Sequence, residues 1–92
     1  MKKTLLSEEL QWKILDYLFD IHPRRLTDEE FSEQFGDLED TRLVINIRQL
    51  MADDLVGRYS VIKTMTSERV FSSELKLTPS GLKFVSNNPA EN

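Results

Sequence analysis

The chain has no cysteine. Disulfide bonds and zinc–thiolate centres are therefore excluded, and a reducing cytoplasm is the compartment that fits. No apolar run approaches the roughly 18 residues that a membrane span needs. The start, Met1-Lys2-Lys3-Thr4-Leu5-Leu6, is followed by Glu8 and Glu9, so no secretory leader is expected. There is one histidine, His22, beside Pro23, and nothing in the sequence pairs it with a nucleophile or an orienting acid. Phosphate-cradling glycine motifs are missing. The carboxylates Asp28, Glu29, Glu30 and Glu33 lack calcium-loop spacing. Neither an enzyme nor a cofactor or metal is expected.

What remains is a soluble globular composition on 92 residues, 30% charged and 39% apolar. That is one small domain, with a core expected over about 8–85 and a polar tail over 86–92. A chain of this size buries roughly two thirds of its unfolded surface, so its stability margin is thin. Charge is uneven. Residues 1–40 hold five Lys/Arg against eleven Asp/Glu, and residues 41–92 hold seven against five. The overall charge of −4 argues against indiscriminate nucleic-acid binding, but the C-terminal part does not share that objection.

The hydrophobic spacing predicts a first helix over about 8–21, capped by Ser7, with Leu10, Ile14, Tyr17, Leu18 and Ile21 on one face. Pro23 stops it. Thr27-Asp28-Glu29-Glu30 is a capping box, with Leu26 and Phe31 at the staple positions and Gly36 as the stop, so a second helix is expected over about 28–35. Asp37 or Asp40 caps a third helix over about 40–53, with Leu43, Ile47, Leu50 and Met51 facing inward. Residues 56–63 and 69–77 read as strands around a polar tip at 64–68. In the second strand Phe71, Ser73, Leu75 and Leu77 alternate with Val70, Ser72, Glu74 and Lys76. Thr78-Pro79 opens a short last helix that docks Leu82, Phe84 and Val85. Phe31, Phe35, Leu43, Ile47, Leu50, Leu55, Phe71 and Leu75 are expected to share one core with the inner face of the first helix.

This order is mostly α in an α+β chain: three helices, a two-stranded hairpin and a short C-terminal helix. Together with Leu26-Thr27-Asp28-Glu29-Glu30-Phe31-Ser32-Glu33-Gln34-Phe35-Gly36, Leu43 to Val56 and Leu77-Thr78-Pro79-Ser80-Gly81-Leu82, it resembles the winged helix-turn-helix superfamily, of the small bacterial or phage type. The resemblance covers about residues 8–85. Asp54 departs from it, standing where such proteins usually have glycine before Leu-Val. The resemblance implies a transcriptional regulator that lays the third helix in the major groove of double-stranded DNA and the hairpin, or wing, on the backbone. Fold alone does not decide this, because the same scaffold also serves protein interaction.

On a helical projection the outward face of the third helix carries Thr41, Arg42, Ile45, Arg48, Gln49 and Ala52, with Val44 and Asn46 on its flanks. Thr41, Arg42, Ile45, Asn46, Arg48 and Gln49 are the candidate base or phosphate contacts. Lys63, Thr64 and Arg69 on the wing, helped by Thr66, Ser67, Arg58 and Lys76, are candidates for the backbone. Arg24-Arg25 offers a further phosphate contact. Ile45 is out of place on a base-reading face. Together with Val44 and the acidic second helix it fits a protein-binding adaptor instead. Trp12, Leu15 and Phe19 form a second apolar stripe on the first helix. Within the chain its cover is the last helix or the Leu5-Leu6 arm; the other cover is a second copy, and a homodimer with Trp12, Leu15 and Phe19 at its interface is expected.

Overall fold

The computed structural model describes residues 6–88. Leu5 of the arm and the last four tail residues lie outside the described residues. The chain is α+β and mostly helical. Its elements are α1 (Glu8–Ile21), α2 (Asp28–Gln34), α3 (Thr41–Ala52), β1 (Val61–Lys63), β2 (Glu68–Val70), a 3₁₀ turn (Ser72–Glu74) and α4 (Pro79–Asn87). Among the described residues no helix is long and apolar enough to cross a membrane.

Each helix begins where a short polar side chain takes an orphan amide. The hydroxyl of Ser7 accepts from the Leu10 N–H, that of Thr27 from Glu30 and that of Thr78 from Gly81, while the Asp40 carboxylate accepts from Arg42 and Leu43. Leu26 and Phe31, the staple pair, are both buried. Ile14, Leu15 and Leu18 of α1 pack with Phe31, Leu43, Val44, Ile47 and Leu50, and Val56, Val70, Leu75 and Leu77 from the C-terminal part, with Val85 of α4, complete the core. Phe35 and Leu55 pack on its margin.

The hairpin is shorter than the sequence alternation predicts. β1 and β2 pair antiparallel over three residues each, with Val61 opposite Val70 and Lys63 opposite Glu68. Residues 56–60 add only an isolated bridge from Val56 to Leu77 before a turn. After Val70 the expected face inverts. Val70 and Ser72 are buried, whereas Phe71 is 38% exposed and is not a core residue. The cause is polar. Ser72 donates its hydroxyl to the Asp28 carboxylate at the start of α2. The 3₁₀ turn that follows then resets the phase, so that Leu75 and Leu77 point inward again. The last helix also runs further than expected, taking in Ser86 and Asn87 of the supposed tail.

Two tight spots hold the C-terminal part in place. α3 ends in a Schellman turn: the Leu55 N–H reaches the Leu50 carbonyl and the Asp54 N–H reaches Met51, both at 3.0 Å. Asp54 therefore sits at φ 61°, in the left-handed region that glycine adopts without strain. Its carbonyl then accepts the Thr78 hydroxyl at 2.6 Å, which ties the turn to the start of α4. Gly81 faces the same loop. A methyl group there would lie 2.1 Å from the Leu55 carbonyl oxygen.

Two substitutions test these contacts by thermal unfolding followed by circular dichroism. Asp54→Gly releases the left-handed strain, which exceeds the chain entropy that glycine adds, and should raise Tm by roughly 2–5 °C. Gly81→Ala should cost at least about 1–3 kcal/mol, because the obstacle is backbone and α4 must move away from it. Ser80→Ala, on the exposed side of the same turn, should leave Tm nearly unchanged.

Candidate interaction surface of the third helix and hairpin

The inner stripe of α3 is Leu43, Asn46, Ile47 and Leu50, at i, i+3, i+4 and i+7. Asn46 thus belongs to the core stripe and is fully buried. Its Oδ1 accepts from the Ser7 N–H at 2.8 Å and from Gln11 Nε2 at 2.9 Å, and its Nδ2 donates to the Arg42 carbonyl at 2.8 Å. The amide joins α3 to the first turn of α1 and does not face a groove of DNA. Val44 is buried as well. The spacing of Asn46 from Leu43 and Leu50 is the sequence signal that places it inward.

The outward residues are Thr41, Arg42, Arg48 and Ala52, all exposed, with Ile45 and Gln49 half-buried between them. Several of the expected DNA contacts are occupied within the chain. Arg48 pairs with Glu68 of β2, so α3 and the hairpin are bridged by opposite charges. Gln49 donates to Asp53 one turn on. The Thr64 hydroxyl closes the hairpin tip, donating to the Ser67 carbonyl at 2.9 Å and accepting the Ser67 N–H at 3.0 Å. Arg69 turns toward α2, where Nη2 meets Asp28 at 3.4 Å, while Nε donates to the Val70 carbonyl of its own strand at 3.1 Å. Arg42 and Lys63 remain exposed. Arg42 lies at the other end of the face, beside a cleft with Ser7, Glu9, Leu10 and Lys13.

Between the start of α3 and the hairpin lies a cleft of about 190 Å³, lined by Glu39, Thr41, Val44, Ile45, Ser67 and Glu68. Its lining combines two aliphatic side chains with two hydroxyls and two carboxylates, and among the described residues no cation lines it. The half-buried Ile45 is explained by this cleft.

The second apolar stripe of α1 is covered within the chain at two of its three positions. Leu15 is a core residue. Trp12 stacks on Phe84 of α4, with ring centroids 5.3 Å apart and planes 20° from parallel. Of the three positions read as a dimer interface, Phe19 alone stays exposed. The stripe therefore does not require a second copy.

Arg24 is also engaged. Its two terminal nitrogens grip the Glu30 carboxylate in a fork, at 2.9 and 2.8 Å, while the Tyr17 hydroxyl donates to the same carboxylate. These partners, with the Thr27 amide, hold the Glu30 carboxyl at about 2, well below its ordinary value. The cluster clamps α1 to the start of α2.

Because the folded-state pKa of Glu30 is depressed, its contribution to stability is complete above the ordinary glutamate value and fades as pH falls toward about 2. Glu30→Gln should therefore melt below the unmodified chain at neutral pH. The gap in Tm should narrow steadily between about pH 5 and pH 2. A gap that stays constant over that range would mean that the clamp does not depend on the ionised carboxylate.

No protein-family model, curated protein or solved structure matches the chain, so its function is read from its own surface.

Proposed function

We propose that the chain is a non-catalytic winged-helix module that binds a segment of a partner protein in the cleft between α3 and the hairpin, in a reducing compartment such as the cytoplasm. The winged-helix reading draws on the short connection from α2 to α3, the hairpin that follows α3 and the return of α4 onto α1. The observation that carries the protein-binding reading is the lining of the cleft: Val44 and Ile45 flanked by Glu39 and Glu68. A surface that follows a DNA backbone needs uncompensated cations. Here Arg48 and Arg69 already face carboxylates, and Glu39 would repel phosphates.

A second reading, sequence-selective DNA binding, draws on Arg42 and Lys63, which are exposed on α3 and the hairpin. An exposed ion pair such as Arg48–Glu68 is worth only about 0–1 kcal/mol and would yield to a phosphate.

Two measurements separate these readings. Peptides selected from a random displayed library on the unmodified chain should lose binding to Ile45→Asp, which places a charge in the cleft. Random-sequence duplexes should show no saturable binding at about 50 mM salt, where the electrostatic term is strong. Duplex binding that Arg42→Ala and Lys63→Ala each weaken, with the salt dependence shallower by about one unit apiece, would instead establish the DNA reading.

A further inference from the structure

We infer that the segment bound in this cleft is extended and cationic, and that Arg48 competes with it for Glu68. The inference rests on the protein-binding reading and adds the chemistry of the partner.

The extended form follows from the hairpin edge. The Phe71 N–H pairs with the Ser60 carbonyl, and the Ser67 carbonyl with the Thr64 N–H. In an antiparallel ladder the alternate residues, Glu68 and Val70, then point their backbone groups away from β1. Val70 already has partners there: its N–H donates to the Leu38 carbonyl at 2.8 Å and its carbonyl accepts from Arg69. The chain leaves this edge after that one bond. The Asp40 N–H turns back to the Asp37 carbonyl at 3.0 Å, and α3 begins. Glu68, whose backbone groups point to this same edge, lines the cleft with Glu39 and Thr41, and among the described residues no backbone bond reaches it from that side. A strand-like segment laid where Leu38 stops can pair with it, as in strand addition to an open edge.

The charge follows from the lining. Successive side chains of an extended segment alternate in direction, so one aliphatic side chain can rest on Val44 and Ile45 while flanking residues approach Glu39 and Glu68. Lysine or arginine at those flanks complements both carboxylates. Glu68 is not idle, however. Arg48 holds it from the α3 side, and Lys63 stands across the hairpin from it. An incoming cation must take the place of the Arg48 guanidinium, which is an inexpensive exchange at an exposed pair. Removing the arginine should therefore strengthen the binding of a cationic segment, whereas a DNA site would lose affinity from the same change.

The test uses blocked peptides of one length with a central leucine flanked by lysines, by serines or by glutamates, titrated calorimetrically against the whole chain. The lysine-flanked peptide should bind best and the glutamate-flanked one least. Arg48→Gln should tighten the lysine-flanked peptide by about twofold to fivefold, the scale on which an exposed ion pair competes. Glu68→Gln should weaken that peptide by a similar factor, and both variants should leave the serine-flanked peptide unchanged. The amide signal of Glu68 should move on binding in nuclear magnetic resonance spectra. Equal binding of the serine- and lysine-flanked peptides, abolished by Ile45→Asp, would overturn the inference and leave the protein-binding reading in place. Weaker binding of the lysine-flanked peptide to Arg48→Gln would overturn it too. If no peptide, from the panel or the displayed library, binds in an Ile45-dependent way, the protein-binding reading fails with it.

Discussion

The presentation of α3 depends on the side-chain amide of Asn46. A buried amide must find partners or cost the fold several kcal/mol, roughly 2–7 by transfer estimates. Asn46 finds them on both sides of the α1–α3 contact, in the Ser7 amide, the Gln11 side chain and the Arg42 carbonyl. A purely apolar seam would tolerate rotation of α3 by part of a turn. The amide does not, because rotation would strand its donors and acceptors. Thr41, Ile45, Arg48 and Ala52 consequently face outward.

The rotation fixed by Asn46 also decides what the outward face can do. It brings Arg48 to Glu68 and sets Ile45 into the cleft between α3 and the hairpin. Elsewhere on the surface the same pattern recurs, with Arg24 on Glu30 and Arg69 on Asp28. These are mostly exposed pairs and contribute little to stability individually. Their larger effect is on the surface potential. The positive balance of the C-terminal part is partly taken up inside the molecule, and among the described residues no cation lines the cleft itself.

The C-terminal part is held by close approach more than by area. The Schellman turn at Asp54 delivers Leu55 and Val56 to the underside of α4, and Gly81 lets the helix sit against the Leu55 carbonyl. Thr78, which caps α4, also hydrogen-bonds the turn. That seating carries Phe84 onto Trp12 and covers the Trp12 part of the second apolar stripe of α1. A domain this small has little surplus core, and this stack removes apolar surface from water.

The sequence by itself determined the helices and where each begins. Ser7, Thr27, Asp40 and Thr78 cap through bonds to amides only two or three residues away, and the inward spacing of Leu43, Ile47 and Leu50 is a property of one helix. Such local interactions are written in neighbouring residues. The hairpin was only half legible. Its two-residue alternation was read through Phe71, but a hydrogen bond from Ser72 to Asp28, 44 positions away in the chain, inverted the face. The candidate surface was least legible of all. Arginines 48 and 69 look free until Glu68 and Asp28 arrive beside them, and Asn46 looks like a base reader until Ser7 and Gln11 meet it. The identity of a side chain sets which bonds it can make, but only the folded chain decides which partners stand within reach. On this protein that choice buried Asn46, paired Arg48 with Glu68 and set Ile45 into a cleft lined by Glu39 and Glu68.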